Sequence, residues 1–157
     1  MNKGSKQEIT YSDQQITEFI NERKKLSDNW RSELDSNREL YIIGEDGNQF
    51  RLIARLNKRY PTDFSVILGI INPITGNLFR LRRYNGLAKR MHKNKLEKTR
   101  VYSYHIHYAT QRYQERGYDE DGFAEETDRY SDIEGALQCL LTDANFELPQ
   151  ESQLELF

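Results

Sequence analysis

The sequence predicts an α+β fold: an N-terminal helix, an antiparallel meander of four to five strands, and C-terminal helices packed on one sheet face. Three observations predict it. Apolar residues near each end of the chain recur at helical spacing. The middle of the chain alternates apolar and polar residues with period two. Short turn sequences join those alternating runs, and short links require antiparallel neighbours.

The elements follow in order. Met1 to Tyr11 is polar and reads as a loose N-terminal stretch. Ser12 with Gln15 fits a capping box, and Asp13 suits the positive end of the helix it opens. Ile16, Phe19 and Ile20 form the apolar stripe of that helix. Leu26 to Arg38, with Trp30 and Leu34 four apart, reads as an extension of it or a second short helix. Leu40 to Ile43 is a strand that meets Asp46-Gly47, a hairpin turn. The return strand, Gln49 to Asn57, sets Phe50, Leu52, Ala54 and Leu56 against Arg51 and Arg55. Asp63 to Ile71 is the most apolar strand and reads as central. After the turn Asn72 to Asn77, Leu78 to Tyr84 places Phe79 and Leu81 opposite Arg80 and Arg82.

Leu87 to Thr99 reads as a basic loop or a short helix on Leu87, Met91 and Leu96. Arg100 to Tyr108 is the next strand, and Ala109 to Arg116 is helical up to Gly117. Phe123 to Glu126 is a last short strand. Ser131 with Glu134 resembles a second capping box, opening a helix on Ile133, Ala136, Leu137, Leu140 and Leu141. The organisation is one domain over residues 12–149, with a tail over 150–157.

Composition bounds the function. The chain has 157 residues, 36% hydrophobic and 31% charged, with 11% aromatic residues that argue against general disorder. The net charge of −2 gives no overall attraction for polyanions. The distribution is uneven: Arg80 to Arg100 holds nine Lys/Arg and one acid, while Gln114 to Glu134 holds nine Asp/Glu and two Arg. Such asymmetry fits a nucleic-acid surface, or two blocks that simply face each other or water. A single cysteine, Cys139, excludes an internal disulfide and a cysteine-based zinc site. No signal-like segment or membrane-length apolar run is visible, so the expectation is a soluble cytoplasmic protein without membrane partners. Phosphate-loop, dinucleotide-binding, zinc-protease and serine-hydrolase signatures are absent.

The candidate chemistry centres on His105 and His107. On one strand they share a face, about 6–7 Å apart. A pair so placed could relay protons at a phosphate, or serve a metal. A metal needs further ligands, and His92, Glu125 and Glu126 lie at no recognised spacing, so neither a metal nor another cofactor is expected. Arg80 and Arg82, with Arg51 from the neighbouring hairpin, would stabilise phosphoryl charge on that same face. His105, His107, Arg80 and Arg82 are therefore the catalytic candidates. The nucleic-acid-binding candidates are Arg51, Lys89, Arg90, Lys93, Lys95, Tyr108, Arg112 and Tyr113, which join cations to aromatic faces able to stack on bases. Solvated arginines, satisfied histidines and tyrosines at a core rim account for the same pattern.

The run Phe79 to Gly86, the basic segment with His92, the run His105 to Thr110 and Phe123-Ala124-Glu125 resemble small bacterial proteins of unknown function. These occur in prophages and mobile elements, some beside regulators in toxin–antitoxin-like pairs. The resemblance spans Glu39 to Phe146 and implies a toxin-like or host-interacting role, with RNA or a cognate antitoxin as partner. Two functions follow: a metal-independent endoribonuclease, or a non-catalytic module that binds nucleic acid or protein.

Overall fold

Ser12 caps the first helix as its sequence requires: its side chain accepts from the Gln15 N–H, and the Gln15 side chain reaches back to the Ser12 N–H. The computed structural model describes residues 10–87 and 91–149. In chain order the elements are α1 (Asp13–Asn21), β1 (Lys24–Lys25), α2 (Trp30–Asn37), β2 (Glu39–Ile43), β3 (Gln49–Leu56), β4 (Phe64–Ile71) and β5 (Leu78–Asn85). They continue with β6 (His92–Asn94), β7 (Thr99–Val101), β8 (His105–Tyr108), α3 (Gln111–Glu115), β9 (Phe123–Glu126), α4 (Ile133–Asp143) and β10 (Phe146–Glu147).

Six strands form one antiparallel sheet in the order β2-β3-β4-β5-β8-β9. The first four run as a meander, and the β6–β7 hairpin is inserted before β8. One sheet face carries Phe50, Leu52, Phe64, Val66, Leu68, Ile70, Tyr84 and Ile106. Ile16 and Ile20 of α1, Trp30 and Leu34 of α2, and Leu137, Leu140 and Leu141 of α4 share its core. The opposite face buries Ile53, Ile67 and Ala124 apart from that core.

Several expectations are corrected. The sheet has six strands, not four to five. Within the segment expected as a basic loop or short helix, the described residues from His92 onward form the β6–β7 hairpin, and the long strand expected over 100–108 is broken into β7 and β8. Asp132, not Ser131, caps α4, its carboxylate accepting from the Gly135 N–H. Tyr11, placed in the loose terminal stretch, is buried against Phe19 and Phe79 and its backbone is held both ways by the Gln114 side chain. Residues 1–9 and the tail at 150–157 lie outside the described residues.

Two local features lock the frame. A Cβ on Gly86 would meet the Thr62 carbonyl oxygen at 2.1 Å, so the chain leaves β5 there only as glycine. Lys24 is fully buried in β1, which pairs in parallel with β10. Its ammonium lies 2.7–3.0 Å from the carbonyls of Phe19, Ile20, Glu22 and Ala144, and 4.5 Å from the Phe50 ring centre. Three protons serve four acceptors, so one is shared. These acceptors are the C-terminal carbonyls of α1 and α4, the negative ends of two helices.

Burial lowers the Lys24 pKa to about 8, against 10.5 in an open chain. Between those values the unfolded chain keeps a proton that the folded one has released, so stability rises with pH. Buried Tyr84 and Tyr130, whose pKa values are raised, reverse the trend above pH 10. Urea unfolding should therefore show a gain of about 2 kcal/mol from pH 8 to 9.5. Lys24→Met should flatten that gain while losing about 2–4 kcal/mol at pH 7, because carbonyls are left unpaired.

Candidate functional site: the histidine layer and its covering ribbon

The side chains on each face follow from strand register, and one irregularity decides it. Leu68 pairs with Arg82 and Gly69 with Arg80, leaving Leu81 as an extra residue in β5. This is a β-bulge. The Leu81 carbonyl accepts from the Ala109 N–H, and its side chain is buried in the main core. The bulge shifts parity: Arg82 stands in register with Leu68 and Tyr108 on the helical face, and Arg83 with Ile67 and His107 on the other. The expectation that Arg82 joins the histidines is thus corrected.

Arg82 instead lies over the Tyr108 ring at 5.1 Å, 3.4 Å from the Tyr84 hydroxyl and 3.8 Å from Asp143. Arg129 grips Asp143 through two bonds of 2.8 Å. Arg80 does lie on the histidine face, and the sequence reading missed its neighbour Arg83. The spacing of core residues in β5 carried the signal: Phe79 to Leu81 is a step of two, Leu81 to Tyr84 a step of three. Arg51 is on that face but two strands away from β5, ion-paired with Glu39 and 5.7 Å from the Tyr41 ring.

All three histidines meet on this face. Ring centroids are 4.8 Å apart for His105 and His107, 4.5 Å for His92 and His107, and 5.9 Å for His92 and His105. Each ring is anchored to a backbone carbonyl: His105 Nδ1 to Ser103, His107 Nδ1 to Asp121, both at 2.8 Å, and His92 Nε2 to Gly122 at 2.6 Å. A carbonyl only accepts, so each of these nitrogens carries its proton. Among the described residues no group of three or more His, Cys, Asp or Glu side chains is arranged to hold a metal ion.

Below the rings lies Asp121, 1% exposed. It is 3.3 Å from Arg80 Nη2 and 3.2 Å from Arg83 Nε, while Glu120 accepts from the Arg80 N–H. Arg83 Nε and Asp121 Oδ2 have no aligned hydrogen bond, so their attraction is purely ionic. Desolvation pushes the Asp121 pKa up against the pull of Arg83 and Arg80. Arg80 and Arg51, the phosphate-binding candidates on this face, are thus already paired with acids.

His105 is 6% exposed and His107 2%. Desolvation, then Arg83 and the neighbouring imidazoles, holds His107 down to about pKa 2, and His105 is lowered mainly by burial. Both are neutral near pH 7 and neither is open to a substrate hydroxyl, which a general base has to reach. The pair forms part of a packed layer. The cover is the β6–β7 ribbon. The Asn94 side chain makes two bonds with the Ala124 backbone, at 2.8 and 2.9 Å, copying a strand on the β9 edge. Tyr113, fully buried, donates to Glu97 and accepts from the Leu96 N–H, and Arg112 ion-pairs with Glu97. Tyr113 is therefore closed to a stacking base.

The ribbon's outer side differs. Lys93 and Arg100 face each other across the hairpin, followed by Lys95 and Lys98 in its turn, all exposed. Among the described residues Lys93, Lys98 and Arg100 have no ion-pair partner; Glu97, the ribbon's acid, is taken by Arg112. Lys95 lies 5.1 Å from the Tyr118 ring. Tyr102, beyond β7, is 67% exposed, and Met91, before β6, is exposed as well. Lys89 and Arg90 lie outside the described residues. Compared with family models, curated proteins and solved structures, the chain matches none. Among the described residues no helix is long and apolar enough to cross a membrane.

The histidine layer predicts acid lability. Because the folded pKa of His107 lies far below its open-chain value of 6.5, its contribution is complete above pH 6.5 and lost as pH falls. Urea titrations at pH 6.5 and 4.5 should differ by about 2–3 kcal/mol. In His107→Asn, which keeps a donor for the Asp121 carbonyl but takes up no proton, the difference should shrink by at least half.

Proposed function

We propose that this protein is a non-catalytic nucleic-acid-binding module whose β6–β7 ribbon takes the phosphate backbone of a single strand. The observation that carries this is the unopposed cation row on the ribbon's outer side. Like charges directly across a hairpin cost up to about 1 kcal/mol. Lys93 and Arg100 stand in that relation, and among the described residues neither has an ion-pair partner. A rigid inner side and a strained, cationic outer side suit a surface completed by an anion. Alternate residues of a strand are about 6.6 Å apart, and each can meet a separate phosphate. Tyr102 adds an exposed ring on which an unpaired base can stack.

The alternative endoribonuclease reading requires His105 and His107 as proton carriers and Arg80 and Arg82 on one phosphate. Burial of the imidazoles, neutralisation of Arg80, and the placement of Arg82 on the opposite face count against it. RNA incubated with the protein in EDTA should stay intact. Cleavage that disappears in His105→Ala/His107→Ala would restore the catalytic reading.

Binding should be measured by fluorescence anisotropy with single-stranded oligonucleotides across a salt series. With four ribbon cations engaged, log Kd should rise with log salt at a slope of about 3. Lys93→Glu/Arg100→Glu should weaken binding at least tenfold and reduce that slope. Unchanged affinity in this variant, or in Lys93→Glu/Lys95→Glu/Lys98→Glu, would overturn the assignment of the ribbon.

A further inference from the structure

Next to the ribbon is a cavity of about 310 Å³, walled by Tyr11, Phe79 and Tyr118 and edged by Asn72, Asn77 and Glu120. We propose that it is a nucleobase pocket, selective for bases with an exocyclic amino group. The inference rests on the nucleic-acid reading and supplies it with a site for base recognition. Continuity carries it first. Tyr118 lines the cavity and is the same ring that Lys95 of the ribbon approaches at 5.1 Å. Lys95 is thus the ribbon cation that stands at the cavity's Tyr118 wall.

Size and polarity carry it further. The volume is at the lower end of ligand sites, right for one ring system rather than a large cofactor. Phe79 and Tyr118, both half-buried, offer apolar ring surface to a flat heterocycle, with buried Tyr11 behind Phe79. Its polar groups are only partly committed. Glu120 Oε2 is occupied by the Arg80 backbone and side chain, which leaves Oε1 to accept from a ligand. Asn72 Oδ1 accepts from the Ile74 and Thr75 N–H groups, which leaves its amide nitrogen as donor. The Asn77 side chain is exposed, and its backbone alone is held, to Thr75 and Asn72. A carboxylate acceptor beside amide groups is the complement of a base edge. Glu and Asp accept from exocyclic amino groups such as cytosine N4, whereas uracil offers carbonyls there.

The probes are the mononucleotides CMP, AMP, GMP and UMP, titrated into the full chain and followed by amide chemical shifts. The first three should move Asn77, Tyr118 and Glu120, with Kd of about 1 mM or tighter, and UMP should bind at least fivefold more weakly. Asn77→Ala, at an exposed side chain, should weaken CMP at least threefold without changing the unfolding midpoint, and Tyr118→Ala should weaken it at least threefold as well. Glu120→Gln, which can present a donor where the wild type presents an acceptor, should narrow or reverse the CMP/UMP ratio. Absence of shifts from all four nucleotides, shifts confined to the ribbon, or equal binding of UMP would overturn the pocket. The charge-reversed ribbon variant separates the two ideas. It should lose oligonucleotide binding yet keep mononucleotide shifts, so a failed ribbon and a failed pocket give different results.

Discussion

One extra residue in β5 governs where the charged groups of this protein lie. Without the bulge at Leu81, Arg82 would stand beside His107, and Arg83 would point into the helical layer. With it, Arg80 and Arg83 bracket Asp121 below the imidazoles, and Arg82 turns to Asp143 and the tyrosines. The Leu81 carbonyl closes onto Ala109, so the same residue sets how β5 meets the end of β8. Two polar clusters on opposite faces of one sheet thus share a single geometric origin.

The regular parts of the fold were legible in the sequence because local chemistry specifies them. Ser12 with Gln15, the Asp46-Gly47 turn and the alternation through Phe50 to Leu56 each name an element without tertiary help. The β6–β7 ribbon was not legible. Its inner residues are His92, Asn94 and Val101, which carry no apolar alternation, and Asn94 earns a strand position through its bonds to Ala124. The candidate site suffered in the same way. Strand parity correctly put His105 and His107 on one face, but period two does not say whether that face is open. Asp121 sat unrecognised inside an acidic block, because only tertiary packing separates it from its exposed neighbours.

Pairing with acids divides the basic residues into two populations. Arg51, Arg80, Arg83 and Arg112 are matched by acids and hold the protein to itself. Among the described residues Lys93, Lys98 and Arg100 have no such match. The net charge of the chain hides this: Glu120 and Asp121 of the acidic block serve Arg80 and Arg83, and Glu39 and Glu97 serve Arg51 and Arg112.

Lys24 has a bearing on how the chain is made. Its ammonium joins carbonyls at residues 19 to 22 with one at residue 144, and β1 waits for β10 as its partner. During synthesis the first helix emerges long before the last, and its end stays open until residues 144–147 have left the ribosome. Contacts so distant in sequence form late and slow folding. The nascent chain can assemble its meander early, but α1 gains this anchorage only after residues 144–147 have been made.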